Sequence, residues 1–322
     1  MKYFIMVFIL YALFVCDSLA EGGENINDII NTMKLSESLV KTGKGDVTWT
    51  FIIVDSTSSI GNDYSATLFS EEQEMIFWMK KNIYFVFDGN KIREDSKCML
   101  DIPERFGGGI YETRDMLAFN GETCENMLLE RSSYNDIYSI AGSIGNFDRN
   151  YDAFWYQWDP TIHTMNFIMN GQKILISDYL KNNNATLINS ADYIDQKKSV
   201  LMSIKNIDDS DSLIYIWLAP ELLYKPVKIE MKSKKWNTTI TIEYKEYEKN
   251  IWFPQKIIKE LRCNNQGHDS LLSKEIIEYN DDYEINIPIE NSLFMLPFPP
   301  ELDVYDKRIG ENIYVIRNYN ED

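Results

Sequence analysis

The stretch from Lys235 to Pro300 constrains the fold more than any other part of the chain. From Trp236 to Tyr244, one set of alternate residues is mainly aromatic or branched apolar, and the other set is polar. This two-residue period is typical of a strand that is buried on one face. A short polar turn leads into a second strand from Ile251 to Glu260, and this spacing favours an antiparallel hairpin. The stretch therefore predicts a broad antiparallel sheet with an aromatic inner face.

Helical periodicity is confined to two segments. The spacing of Ile26, Ile29, Ile30 and Met33 predicts an amphipathic helix from Asn25 to Lys41. A second helix is predicted from Gly171 to Asn182. The remaining interpretable segments read as strands, beginning with Val47 to Val54. The pattern indicates the α+β class, with one long antiparallel sheet and helices on one side of it. No linker composition or repeat divides the chain, so residues 21–322 are interpreted as a single domain with insertions.

The N-terminus predicts export from the cytoplasm. Residues 1–20 combine Lys2, an apolar run from Tyr3 to Val15 and a small-residue cleavage site at Ser18 to Ala20, which is the pattern of a secretory signal peptide. The predicted location is the periplasm. Lipidation of Cys16, which would anchor the chain at the outer membrane, is the alternative. A net charge of -18 argues against nucleic-acid and anionic-membrane partners, which bind positive surfaces.

Three cysteines remain beyond the predicted signal peptide: Cys98, Cys124 and Cys263. Outside the cytoplasm, a disulfide between Cys98 and Cys124 on neighbouring strands is one interpretation. Three separate buried thiols are the other, because free cysteine packs as a small apolar residue. The cysteines form no C-x-x-C motif and no cluster with histidine, so a zinc or redox site is not predicted.

No arrangement typical of catalysis was found in the sequence. The only two histidines, His163 and His268, lie in polar loops, and no serine nucleophile motif accompanies them. The glycine run at Phe106 to Gly109 lacks the Lys-Ser/Thr of a phosphate-binding loop. Acidic clusters around Asp208 and Asp281 lack the glycine-containing calcium loop and are interpreted as solvated turns. The chain is therefore predicted to be non-enzymatic and to require no cofactor or metal.

Several short sequence segments, predicted to be strands and turns, resemble the LolA/LolB-type lipoprotein-carrier superfamily, and in particular its larger bacterial members. The matching segments are Leu213–Glu221, Tyr224–Glu230, Tyr244–Tyr247, Ile251–Pro254, Ser292–Pro300 and Val304–Asp306. The resemblance implies an unclosed antiparallel β-barrel, or half-barrel, with helices covering the open side. It also implies an apolar cavity that holds lipoprotein acyl chains, and an envelope transporter or outer-membrane acceptor as partner.

The leading hypothesis is a monomeric periplasmic carrier of lipid or lipoprotein acyl chains. The candidate residues for lining its cavity are Trp49, Phe51, Trp236, Ile240, Ile242, Trp252 and Phe294. Ordinary core packing is the alternative explanation for each of them, since alternating aromatic residues commonly fill a core. The alternative function is an envelope structural or protein-interaction factor that binds a partner through its sheet edges and carries no lipid.

Overall fold

A computed structural model describes residues 25–54, 75–89, 91–102, 109–131, 138–146, 166–169, 172–205, 213–234, 236–265, 268–299 and 302–314. The predicted signal peptide, His163 and the Asp208 cluster lie outside these residues. The N-terminal half contains helix α1 (Ile26–Ser38) and strands β1 (Thr42–Val54), β2 (Met75–Asp88), β3 (Lys91–Ile102), β4 (Gly109–Phe119), β5 (Thr123–Arg131) and β6 (Tyr138–Asn146).

A short hairpin and a second helix join the two halves: β7 (Asn166–Met169), β8 (Gln172–Leu175) and α2 (Ile176–Asn182). The C-terminal half contains β9 (Thr186–Ile194), β10 (Lys197–Lys205), β11 (Leu213–Ala219), β12 (Lys225–Lys232), β13 (Trp236–Glu248), β14 (Ile251–Asn265), β15 (His268–Tyr279), β16 (Glu284–Ile285), β17 (Asp303–Asp306) and β18 (Glu311–Tyr314). Two 3-10 helices lie at Pro220–Leu222 and Asn291–Phe294.

All of these strands except β7 and β8 belong to one sheet. Its strands follow the order β18-β17-β6-β5-β4-β3-β2-β1-β15-β14-β13-β12-β11-β10-β9, with β16 paired to β1. Strands β1 and β15 join two antiparallel meanders through a register that pairs Trp49 with Ile277. The pairing of β17 with β6 is parallel. Within the described chain the terminal strands β9 and β18 are not paired to each other, so the sheet is open, as predicted.

The main core lies between one face of this sheet and the two helices. Helix α1 buries Ile29, Ile30 and Met33, and α2 buries Ile176, Tyr179 and Leu180. These side chains pack with residues from β1, β2 and β10–β15 in a single apolar cluster. The predicted α1 is confirmed, although it ends at Ser38 rather than Lys41. The side chain of Asn25 caps it by accepting a hydrogen bond from Asn27 N at 3.0 Å.

The second helix is shorter than predicted. It begins at Ile176 rather than Gly171, because Gln172–Leu175 pair with Asn166–Met169 as a hairpin. Sequence periodicity could not distinguish a four-residue strand from the first turn of a helix, since a short apolar run fits both.

The closing segment packs on the other face of the sheet over the described residues 292–299. Leu296 and Phe298 are buried there with Met116, Met127 and Val304 in a second apolar cluster. Leu296 N donates a hydrogen bond to the buried carboxylate of Glu125 at 2.7 Å. Arg93 donates to Leu293 O at 3.1 Å. The C-terminal segment therefore covers β4–β6 on the face opposite the helices before β17 pairs with β6.

The β9 end of the sheet limits further strand pairing. Strand β9 is paired to β10 with two register shifts, and the side chains of Asn189 and Asp192 accept hydrogen bonds from the backbone N–H groups of Ala191 and Tyr193. Bulges and local capping of backbone donors reduce the tendency of an edge strand to pair with another chain.

Candidate functional site

A groove of about 300 Å³ is formed by residues of β10, β12, β13 and β14 together with the 3-10 helix at Pro220–Leu222. Its wall is mainly apolar, and Lys197 and Glu221 provide charged groups. The lining residues are Lys197, Glu221, Leu222, Val227, Ile242, Tyr244 and Trp252. The groove includes two of the residues predicted from sequence, Ile242 and Trp252. An apolar wall with a few polar groups is the usual composition of a small-molecule site, and this volume lies at the lower end of the usual range.

Two interruptions of strand pairing shape the groove. The β11–β12 register shifts where Leu218 pairs with Pro226, and the β13–β14 register shifts where Tyr244 pairs with Pro254. Proline cannot donate to the ladder and is accommodated at bulges, and a bulge redirects the side chains beside it. Tyr244 is held across the gap by donating its hydroxyl hydrogen bond to Pro226 O at 2.9 Å.

The turn that enters the groove carries backbone strain. Leu223 and Tyr224 adopt φ values of 57° and 59°, in the left-handed region that L-residues with side chains rarely occupy. Their N–H groups bond to Pro220 O and Ala219 O. Strain of this kind costs on the order of 1–3 kcal/mol per residue and is concentrated at functional sites. The following residue is Lys225.

Lys225 is a buried cation, with 4% of its surface exposed. Its ammonium has no hydrogen-bond partner among the described residues and lies 6.0 Å from the centre of the Tyr244 ring. Burial lowers the pKa of Lys225 to about 8, and the nearby Glu37 carboxylate partly opposes this effect. The Tyr244 ring thus contacts the groove and also lies within reach of a buried positive charge.

The other predicted site residues occupy different environments. Trp49 and Ile240 are buried in the main core, and Phe51 stacks on Trp49 at 5.8 Å between ring centres. Trp236 is 39% exposed at the start of β13. Phe294 lies beside Lys91, 5.7 Å from the ammonium to the ring centre. Lys91 pairs with Asp88, and Asp88 pairs with Thr42 of β1. Because side chains alternate along β1 from Thr42 to Trp49, Lys91 is on the face opposite Trp49, so Phe294 and Trp49 do not line a common cavity.

The three cysteines that the structure describes form no disulfide bond. Cys98, Cys124 and Cys263 are each buried and unbridged. Cys98 pairs with Thr113 on β4, whereas Cys124 pairs with Phe119 at the other end of β4. The structure thus contains three separate thiols rather than the Cys98–Cys124 disulfide. Burial raises the pKa of Cys98, and the charge of Lys81 acts in the opposite direction.

The sequence matches no protein-family model and no curated protein. Among solved structures, a porin-like protein from Bacteroides uniformis is similar over 74% of this chain and 97% of its own, with 7% identity and a TM-score of 0.20. A MucA/MucB complex from Pseudomonas aeruginosa gives 80% and 95% coverage, 7% identity and a TM-score of 0.22. A structure of MucB in complex with MucA(peri) is similar over 80% of this chain and 94% of its own, with 6% identity and a TM-score of 0.22. At this similarity none of them assigns a fold or a function to the chain.

Sequence reasoning missed the most unusual residues of the site. Lys225 and Glu37 are ordinary surface residue types in a sequence, and only the fold buries Lys225 beside Glu37.

Two further observations concern metal binding and membrane spanning. In the part of the chain that the structure describes, no group of three or more His, Cys, Asp or Glu is placed to hold a metal ion. Over the same residues, no helix has the length and apolar character needed to cross a membrane.

Proposed function

We propose that this chain is a non-enzymatic binding protein that holds one apolar chain, such as the acyl chain of a lipid or lipoprotein, in the groove beside Trp252. The observation that carries the proposal is the partly enclosed apolar wall formed by Leu222, Val227, Ile242, Tyr244 and Trp252. Covering an acyl chain is favourable by about 0.8 kcal/mol per CH₂ group removed from water. Lys197 and Glu221 are positioned to contact a polar head group.

The volume supports a single chain rather than a multiply acylated cargo. The inner face of the sheet is filled where α1 and α2 pack on it, and Trp49 and Ile240 are core residues there. A groove of about 300 Å³ accommodates one short acyl segment. In this proposal the two helices cover the open side of the half-barrel, and the ligand enters beside the 3-10 helix at Pro220–Leu222. The predicted signal peptide supports a periplasmic setting.

A second candidate is a protein-interaction factor, and it is favoured by exposed apolar side chains on an edge strand. Ile188 and Tyr193 of β9 are 53% and 63% exposed. The register shifts and the side-chain caps at Ala191 and Tyr193 act against strand addition there. We therefore rank it second. Aspartate at Ile188 and Tyr193 would weaken a partner complex and leave acyl-chain binding unchanged.

Replacing Trp252 by alanine is expected to weaken the binding of a dansyl-labelled fatty acid about tenfold, corresponding to ~1.4 kcal/mol, because the indole forms one wall of the groove. Val227→Trp should give a similar loss by filling the space. Titration of probe fluorescence on the full chain measures both affinities. Trp236→Ala is the matched control, because Trp236 is exposed and does not line the groove. Equal affinities in all of these variants would show that the groove is not the binding site.

A further inference from the structure

Both helices meet the sheet at one cluster of polar groups, in which Ser177 and Lys225 are buried and Glu37 is half-buried. Glu37, in the last turn of α1, accepts hydrogen bonds from Ser177 of α2: one from the backbone N–H at 3.1 Å and one from the hydroxyl. Lys225 of β12 interacts electrostatically with the Glu37 carboxylate. One carboxyl group therefore connects α1 to α2 and faces a cation of the sheet.

Titratable groups surround Glu37 on each of α2, β12 and β13. On α2, Asp178 forms an ion pair with Lys34 of α1 at 2.6 Å, and both side chains are about 40% exposed. On β12 lies Lys225, whose ammonium is buried and makes no hydrogen bond among the described residues. On β13 lies Tyr244, whose pKa is raised well above its usual value by burial and by the Glu37 charge. The ion pair between Lys34 and Asp178 is exposed, and an exposed pair contributes little to stability.

We propose that the docking of α1 and α2 on the sheet is a proton-responsive device, in which loss of the Glu37 proton on going from mildly acidic to neutral pH loosens both helices. The inference does not depend on the function of the groove. A neutral Glu37 carboxyl can stay in this half-buried position with its hydrogen bonds to Ser177, whereas an ionised one must lose part of its hydration without direct contact from a cation.

The direction of the pH effect follows from the proton affinity of the folded state. Burial raises the pKa of Glu37 from 4.5 to about 7, while the Ser177 hydrogen bonds and Lys225 lower it and Asp178 raises it. The folded junction thus binds more protons than the open one between these two values, so its stability falls as pH rises through that window. Lys225, with a pKa of about 8, stays mainly protonated over most of the window.

Hydrogen exchange of the full chain, corrected for the intrinsic exchange rate at each pH, tests the inference. Between pH 5.5 and 7.5, the protection of α1 and α2 amides is expected to fall on the order of tenfold in the wild type, and the protection of β14 and β15 much less. Glu37→Gln should abolish the helix-specific decrease. Glu248→Gln is the matched control, since Glu248 is an exposed hairpin residue and the substitution removes the same charge from an acidic chain.

A second variant keeps the test decisive if Glu37→Gln folds poorly. Lys225→Met removes the cation that lowers the Glu37 pKa, so the midpoint of the pH-dependent loosening should move to higher pH. A purely structural role for Lys225 would change stability without moving that midpoint. Wild-type pH dependence in Glu37→Gln, or an unmoved midpoint in Lys225→Met, would overturn the inference.

Discussion

Replacing Phe253 by alanine is expected to lower the free energy of unfolding by about 3–5 kcal/mol, as is usual for a fully buried aromatic residue. Phe253 is completely buried at the centre of an aromatic cluster. Its ring stacks on Tyr283 at 5.5 Å between centres, and it meets Tyr279 edge to face at 5.2 Å. It also stacks on Phe87 of β2 at 6.3 Å. The substitution therefore leaves a cavity and removes contacts between the two meanders.

Urea unfolding followed by circular dichroism measures this loss. Tyr193→Ala is the matched control: Tyr193 is 63% exposed, so truncation there should change stability by less than about 0.5 kcal/mol. Phe253→Leu should fall between the two, because it restores part of the volume. Losses of similar size for Phe253→Ala and Tyr193→Ala would contradict the assigned position of Phe253 in the core.

Alanine at Gly45 is expected to destabilise the chain by about 2–4 kcal/mol, through strain and overpacking together. Gly45 has a φ of 152°, which side chains disfavour. A Cβ atom there would lie 2.6 Å from Cα of Tyr283, and a backbone atom cannot rotate out of the way. The close approach of β1 to the Tyr283 turn thus requires glycine. The same urea titration measures the effect.

Gly89→Ala separates the cost of the positive φ from the cost of overpacking against Tyr283. Gly89 also has a positive φ, at 60°, but a Cβ atom there meets nothing within 4 Å. Its substitution should cost only the conformational penalty of about 1 kcal/mol. If the two alanine variants were equally stable, the predicted contact with Tyr283 would be absent.

The parts of the fold that sequence reasoning predicted depend on local patterns. The alternation from Trp236 to Tyr244 indicates β13 directly, and the spacing of Ile26, Ile29, Ile30 and Met33 gives α1. Each signal arises within a few residues, so no tertiary information is needed to read it. The boundary of α2 was wrong because the pairing partner of Gln172–Leu175, not their own sequence, decides their conformation.

The site was only partly predictable, because its particular features are long-range. Ile242 and Trp252 were found as members of apolar runs. The groove between them depends on register shifts at Pro226 and Pro254, which a sequence indicates only as interrupted strands. Phe294 was grouped with Trp49 by residue type, yet the chain crosses to the other face of the sheet before reaching it. The burial of Lys225 beside Glu37 joins positions 188 residues apart in sequence.

The measurement that tests the proposed function most directly is native mass spectrometry of the full chain, purified without detergent from the exported fraction. The proposal predicts an adduct with the mass of one singly bound lipid or acyl species, which Trp252→Ala and Val227→Trp reduce and Trp236→Ala retains. A protein that is uniformly free of lipid and also fails to bind the dansyl-labelled fatty acid would contradict it.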